Sequence, residues 1–233
     1  MSDVLAVVEH RRGELRPASF ELLSAGGDLA AALDGDLHVA VIGGPVERYA
    51  DRLNREGVDV IHTVEDGAEF DPERYVRAVD ALCEELDPAA VLAPHTVNAL
   101  DYVPALAVER GAEVVTDALD LTVEEGALLA TRGFYASKVT GPVTVEPPAV
   151  LTIRPGEWPA ADGIVDAETR PFEVGNGDWD SSRTVEGFEE ASRSDVDITA
   201  ADLLIGVGRG VTDEADLSLV EELAEAAGGT IAA

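Results

Sequence analysis

The residues best suited to chemistry lie near the end of the 233-residue chain, in Gly206-Val207-Gly208-Arg209-Gly210. An apolar run at 201–205 precedes them, and an amphipathic stretch at 212–227 follows with Leu217, Val220, Leu223 and Ala224 on one face. Strand, glycine turn and helix together offer main-chain N–H groups and a positive helix end to a phosphate, while the glycines let the anion approach the backbone. Arg209 adds a guanidinium able to fork onto phosphate oxygens. Two readings stay open: a phosphate cradle, or a tight turn in which Arg209 pairs with Asp213 or Glu214. The loop is not the dinucleotide fingerprint, whose third glycine would fall at Val211, and no lysine follows to make a P-loop.

Other polar groups point to chemistry less strongly. His95 and Thr96 follow an apolar run at 91–93, where open α/β sheets place ligands, yet His95 reads as a structural loop residue. The first apolar run ends in Glu9-His10-Arg11-Arg12-Gly13 where a nucleotide hydrolase would carry a glycine-rich loop. Glu65-Asp66, Glu84-Glu85 and Glu189-Glu190 could serve a hydrolase or a metal, but neighbouring carboxylates are expected by chance in so acidic a chain. They read as solvated surface, because neighbours on a helix point apart. Cys83, the only cysteine, shares a helical stripe with Val76, Val79, Leu82 and Leu86 and reads as a small core residue that forms no intrachain disulfide.

The elements that must position these groups alternate along the first half. Strands are expected at 4–8, 37–42, 58–62, 91–93 and 113–116, with helices at 17–33, 46–55, 72–86 and 98–110. Gly26 and Gly27 weaken the middle of the first helix, whereas Asp71 and Pro72 supply an N-cap and first-turn proline for the third. Gly57 and Gly111 read as helix stops. Such alternation implies an α/β fold, a mainly parallel sheet with helices on both faces. Beyond Asp117 come short extended pieces at 119–123, 128–132, 138–139, 143–145 and 150–153, read as an antiparallel addition. A Gly-, Pro-, Asp- and Ser-rich stretch at 156–199 reads as a linker with an extended segment at 184–188.

Charge limits the partners. With 16 basic against 47 acidic residues the net charge is −31, and Lys138 is the only lysine, so nucleic acid and anionic membrane surfaces are poor partners. No apolar run approaches the roughly 20 residues that span a bilayer. Asp3 and Glu9 flank the first apolar run, unlike a secretory signal. A soluble, cytoplasmic protein is expected. Self-repulsion on this scale suits a salt-rich, halophilic interior, where the Debye length falls to roughly 3 Å at 1 M. The thermal midpoint should therefore rise by several degrees between dilute buffer and molar KCl; an unchanged midpoint would contradict the halophilic reading.

One family accommodates all these segments. Ala201-Asp202-Leu203-Leu204-Ile205-Gly206-Val207-Gly208-Arg209-Gly210, with Leu219, Val220, Glu222 and Leu223 after it, resembles the opening of the flavin domain of electron-transfer flavoprotein alpha subunits. Family members usually carry two adjacent glycines before the arginine, so Gly206-Val207-Gly208 departs modestly. Val91-Leu92-Ala93-Pro94-His95-Thr96, Asp101-Tyr102-Val103-Pro104, Val115-Thr116-Asp117, Arg132-Gly133-Phe134-Tyr135 and Val150-Leu151-Thr152-Ile153-Arg154-Pro155 are similar to its earlier segments, in its order.

The resemblance implies a first domain of the adenine nucleotide alpha hydrolase-like or Rossmann-like kind that has lost its own cofactor and contacts a beta subunit. It implies a layout of 1–175 for that domain with its antiparallel addition, 176–199 for a linker, and 200–233 for the start of a second α/β domain that binds FAD. Arg209, shaped by Gly208 and Gly210, would stand near the flavin, and further polypeptide would complete the site. The implied activity is electron carriage from dehydrogenases, including those of fatty acid beta-oxidation, to a membrane quinone oxidoreductase or another acceptor. That task needs no catalytic acid, base or nucleophile, and no metal. An adenine-nucleotide-binding hydrolase and a non-catalytic interaction scaffold remain as alternatives.

Overall fold

The computed structural model describes residues 2–175, 181–187, 201–211 and 214–232. Contacts divide the chain into Met1–Val185 and Glu186–Ala233. In the first unit the chain runs β1 (Val4–Val8), β2 (His10–Arg11), β3 (Glu14–Leu15), α1 (Pro17–Ala32), β4 (Leu37–Gly43), a 3-10 turn (Glu47–Tyr49), α2 (Ala50–Leu53) and β5 (Val60–Glu65). It continues through α3 (Pro72–Leu86), β6 (Ala90–Pro94), α4 (Val97–Arg110), β7 (Glu113–Glu124), β8 (Ala127–Phe134), β9 (Val139–Val145), β10 (Ala149–Ile153) and β11 (Glu168–Pro171).

Every residue of β1, β4 and β6 is buried, as befits strands covered on both faces. Their side chains alternate between two cores. Val4, Ala6 and Val8 join Leu22, Leu23 and Leu29 of α1, whereas Leu5 and Val7 join Tyr75 and Leu82 of α3 with Tyr102 and Leu106 of α4. The glycines of α1 bring the helix close to the sheet rather than interrupting it. A Cβ at Gly26 would stand 2.8 Å from Leu37 Cδ1, and one at Gly27 3.4 Å from the Gly57 main chain. Asp71 caps α3 by accepting from the Glu73 and Arg74 N–H groups, and Gly111, at φ 58°, closes α4.

Nine strands form one sheet in the order β11-β5-β4-β1-β6-β10-β7-β8-β9. The chain steps outward from β1 to β4 and β5, then returns to the other side of β1 with β6, so the crevice between the carboxyl ends of β1 and β6 is the topological switch point. Residues 119–145 do form antiparallel ribbons, but the piece expected to extend them does not. Ala149–Ile153 lies parallel between β6 and β7, where full burial on both faces rewards its apolar run. The expected helix at 46–55 shrinks to the 3-10 turn and α2, because Val46, Tyr49 and Leu53 bury themselves without a longer helix. Residues 184–187 form no strand, and Phe188 lies outside the described residues. An unexpected strand, β11, instead adds to β5 at the sheet edge.

In the second unit β12 (Leu204–Gly206), α5 (Glu214–Ala227) and β13 (Thr230–Ala232) make a strand-helix-strand turn, with Leu204 beside Thr230 and Gly206 beside Ala232 in parallel register. Among the described residues no helix is long and apolar enough to cross a membrane.

Candidate functional site

Gly208, Arg209 and Gly210 occupy the exposed turn after β12, ahead of α5. The turn is pinned at both ends, by Val207 N–H donating to Ala232 O at 2.8 Å and Val211 N–H donating to Gly208 O at 3.1 Å. Between these pins the N–H groups of Gly208, Arg209 and Gly210 make no main-chain hydrogen bond among the described residues. A Cβ at Gly206, Gly208 or Gly210 would meet nothing within 4 Å, so there is open space against the backbone. Three N–H groups without a main-chain partner among the described residues and an exposed guanidinium form a donor set of the kind that suits a pyrophosphate. Asp213 and the Glu214 side chain, the alternative partners of Arg209, lie outside the described residues.

At the switch point of the first unit, the chain places a carboxyl group of its own. Glu9, directly after β1, is 4% exposed, and its Oε1 accepts from the Thr96 hydroxyl at the amino end of α4. Its main chain is clamped by Ser19, whose hydroxyl donates to Glu9 O at 2.9 Å and accepts from Glu9 N–H at 3.0 Å. His10 covers the end of β4 by bonding Ile42 O at 2.9 Å and stacking on Tyr49. The Glu9 carboxyl is pushed above its ordinary range chiefly by burial, against the Thr96 hydroxyl and the charge of Arg16.

The folded protein therefore holds this proton more tightly than the unfolded chain. Its contribution favours the fold below the ordinary carboxyl value and is lost as pH rises through the raised one. Glu9→Gln, which keeps the carbonyl acceptor, should stabilise the protein by about 1 kcal/mol at pH 7.5, or roughly 3 °C in midpoint. The gain should vanish near pH 4.5, as paired thermal melts would show.

The neighbouring strand ends are closed by another polar network. Asp117, held in the left-handed region at φ 64°, donates its N–H to Thr152 Oγ1 at 3.0 Å and accepts Arg154 Nε–H at 2.8 Å. Arg154 Nη2 completes a bidentate pair, which holds the Asp117 carboxyl below its ordinary range. Thr152 Oγ1, already an acceptor, has its own proton for His95 Nδ1 at 2.8 Å, leaving His95 Nε2–H towards Asp117 at 3.9 Å. His95 thus belongs to the network that closes these strand ends. The sequence reading passed over Asp117, Thr152 and Arg154 as a unit; polar residues at the ends of β6 and β10 and inside the apolar start of β7 were the available signal.

The remaining candidates are accounted for by packing and pairing. Cys83 is buried, which pushes its thiol up to about 12. Asp66 pairs with Arg74 beside an open cleft of about 630 Å³. Glu65, Glu84 and Glu85 are exposed, while Glu189 and Glu190 lie outside the described residues.

Comparison with known proteins accords with this architecture. Residues 4–176 match the electron transfer flavoprotein domain. An electron transfer flavoprotein subunit alpha from Methylophilus methylotrophus is 34% identical over 99% of this chain and 73% of its own length. Alpha subunits from Syntrophomonas wolfei and Bacillus subtilis are 32% and 27% identical, again over 99% of this chain and over 73% and 71% of their own lengths. A family match over residues 4–176 and relatives aligned across both units lead to one assignment: the chain belongs to the electron-transfer flavoprotein family, among its alpha subunits.

Proposed function

We propose that this chain works in a heterodimeric electron carrier, in which it and a beta subunit hold FAD, take electrons from dehydrogenases and deliver them to a membrane quinone oxidoreductase or another acceptor. The carrying observation is the alignment with alpha subunits over 99% of the chain, which takes in the turn at 206–210. In this reading residues 1–175 form the partner-binding domain, 176–199 link it, and 200–233 open the flavin domain. Gly208 and Gly210 keep the main chain accessible while Arg209 bonds the FAD pyrophosphate. Bound FAD supplies the redox chemistry; this chain's residues bind and orient it, without a general acid or nucleophile. Partner contact would suit the exposed Tyr135 and Val139. The setting is cytoplasmic.

The hydrolase alternative has a specific observation against it: the Glu9 side chain, bonded by the Thr96 hydroxyl, spans the crevice a nucleotide would need. Co-expression with the neighbouring genes separates all three readings. A yellow complex containing a beta subunit supports the carrier. A colourless assembly that takes up no added flavin overturns it in favour of a scaffold, and nucleotide hydrolysis without flavin would favour the hydrolase.

A further inference from the structure

At the opposite end of the sheet, three potential ligands converge at the amino ends of β1 and β4. The parallel register pairs Val4 with Leu37, so the preceding residues, Asp3 and Asp36, stand side by side. Two residues on from Asp36, strand alternation returns His38 to the same face. One ligand atom from each of Asp3, Asp36 and His38 lies within 4.8 Å of the others. Tetrahedral zinc would need such atoms about 3.3 Å apart, a distance modest side-chain rotations can reach.

The backbone fixes this juxtaposition. Val4 N–H donates to Asp36 O and Asp36 N–H donates to Asp3 Oδ1, both at 3.0 Å. Asp3 Oδ2 is left facing His38 Nε2 at 3.7 Å. The His38 side chain is 7% exposed, and among the described residues its Nε2 has no hydrogen-bond partner. Its other nitrogen, Nδ1, meets His62 Nε2 at 2.9 Å, the outer-shell contact that orients a metal-bound imidazole. Of the charged groups nearby, Asp59 accepts Leu37 N–H at 2.8 Å and Arg170 is held by Glu168. No lysine or arginine pairs with Asp3 or Asp36 among the described residues. Like charges side by side on neighbouring strands are destabilising.

We propose that Asp3, Asp36 and His38 bind one divalent transition-metal ion of the zinc class, with water completing its coordination. The imidazole selects such an ion over magnesium or calcium, which prefer all-oxygen sites. The ion would tie the start of β1 to the start of β4, away from the switch point.

The test is a titration of the chelator-treated chain with ZnCl2 at pH 7.5 in 0.5 M KCl, which screens diffuse binding to so acidic a surface. One equivalent should bind and raise the thermal midpoint by roughly 5 °C at saturating metal. Asp36→Asn, at an exposed side chain, should weaken binding at least tenfold without lowering the metal-free midpoint, since it removes one of two adjacent like charges. His38→Asn should do likewise to binding, and His95→Gln should not. Cobalt should give visible d–d bands that Asp36→Asn removes. Binding no tighter than millimolar, equal affinity for magnesium, or zinc binding undiminished by Asp36→Asn would each overturn the site.

Discussion

In the flavin-loaded complex, Arg209→Ala is expected to weaken FAD retention by about 10- to 100-fold, the usual loss when a charge-assisted hydrogen-bond pair to an anion is removed. The main-chain N–H groups of Gly208 and Gly210 persist in the variant, so binding should weaken rather than disappear. Arg209→Lys should recover part of the affinity, because a point charge replaces the fork. Arg209 is exposed, so the melting of the variant should match that of the parent. Flavin fluorescence during dilution measures the release. An unchanged affinity would mean that Arg209 turns towards Asp213 or Glu214 instead, and the assignment of the cradle would fail.

Leu92→Ala carries the largest expected stability loss, about 2–5 kcal/mol, seen as a midpoint lower by roughly 10 °C. Leu92 is fully buried on β6, between Ala6 of β1 and Leu151 of β10, in the core shared with Leu22 and Leu23. Its strand partners are fixed by sheet pairing on both sides, which limits how far the surroundings can collapse into the space. Leu92→Val should cost only about 1 kcal/mol. A loss below 1 kcal/mol for the alanine variant, read from denaturant midpoints, would show that this part of the sheet is loosely packed.

Local signals revealed the elements whose causes are local. The buried run of β1, the Asp71-Pro72 start of α3 and the Gly111 stop of α4 are written in adjacent residues, and their ends were legible to within a residue or two. Pairing was not, because Val150–Ile153 looks the same whether it extends an antiparallel ribbon or fills a gap between parallel strands. Strand β11 was hidden because its four exposed residues carry no alternation. At the glycine turn, residue types alone suggested the phosphate chemistry. At the switch point, Glu9 was visible only as a missing glycine loop. That its carboxylate reaches the Thr96 hydroxyl depends on two segments 87 residues apart in sequence.

The placement of β10 has a consequence for biosynthesis. Strands β6 and β7 are made first but do not touch as neighbours; each waits for a strand ending at Ile153 to slot between them. A nascent chain released before that point would present two unsatisfied backbone edges, the surfaces most prone to join other polypeptides. Ribosome pausing across 113–148 would prolong that vulnerable interval, whereas a pause after the strand has emerged would find the gap between β6 and β7 already filled.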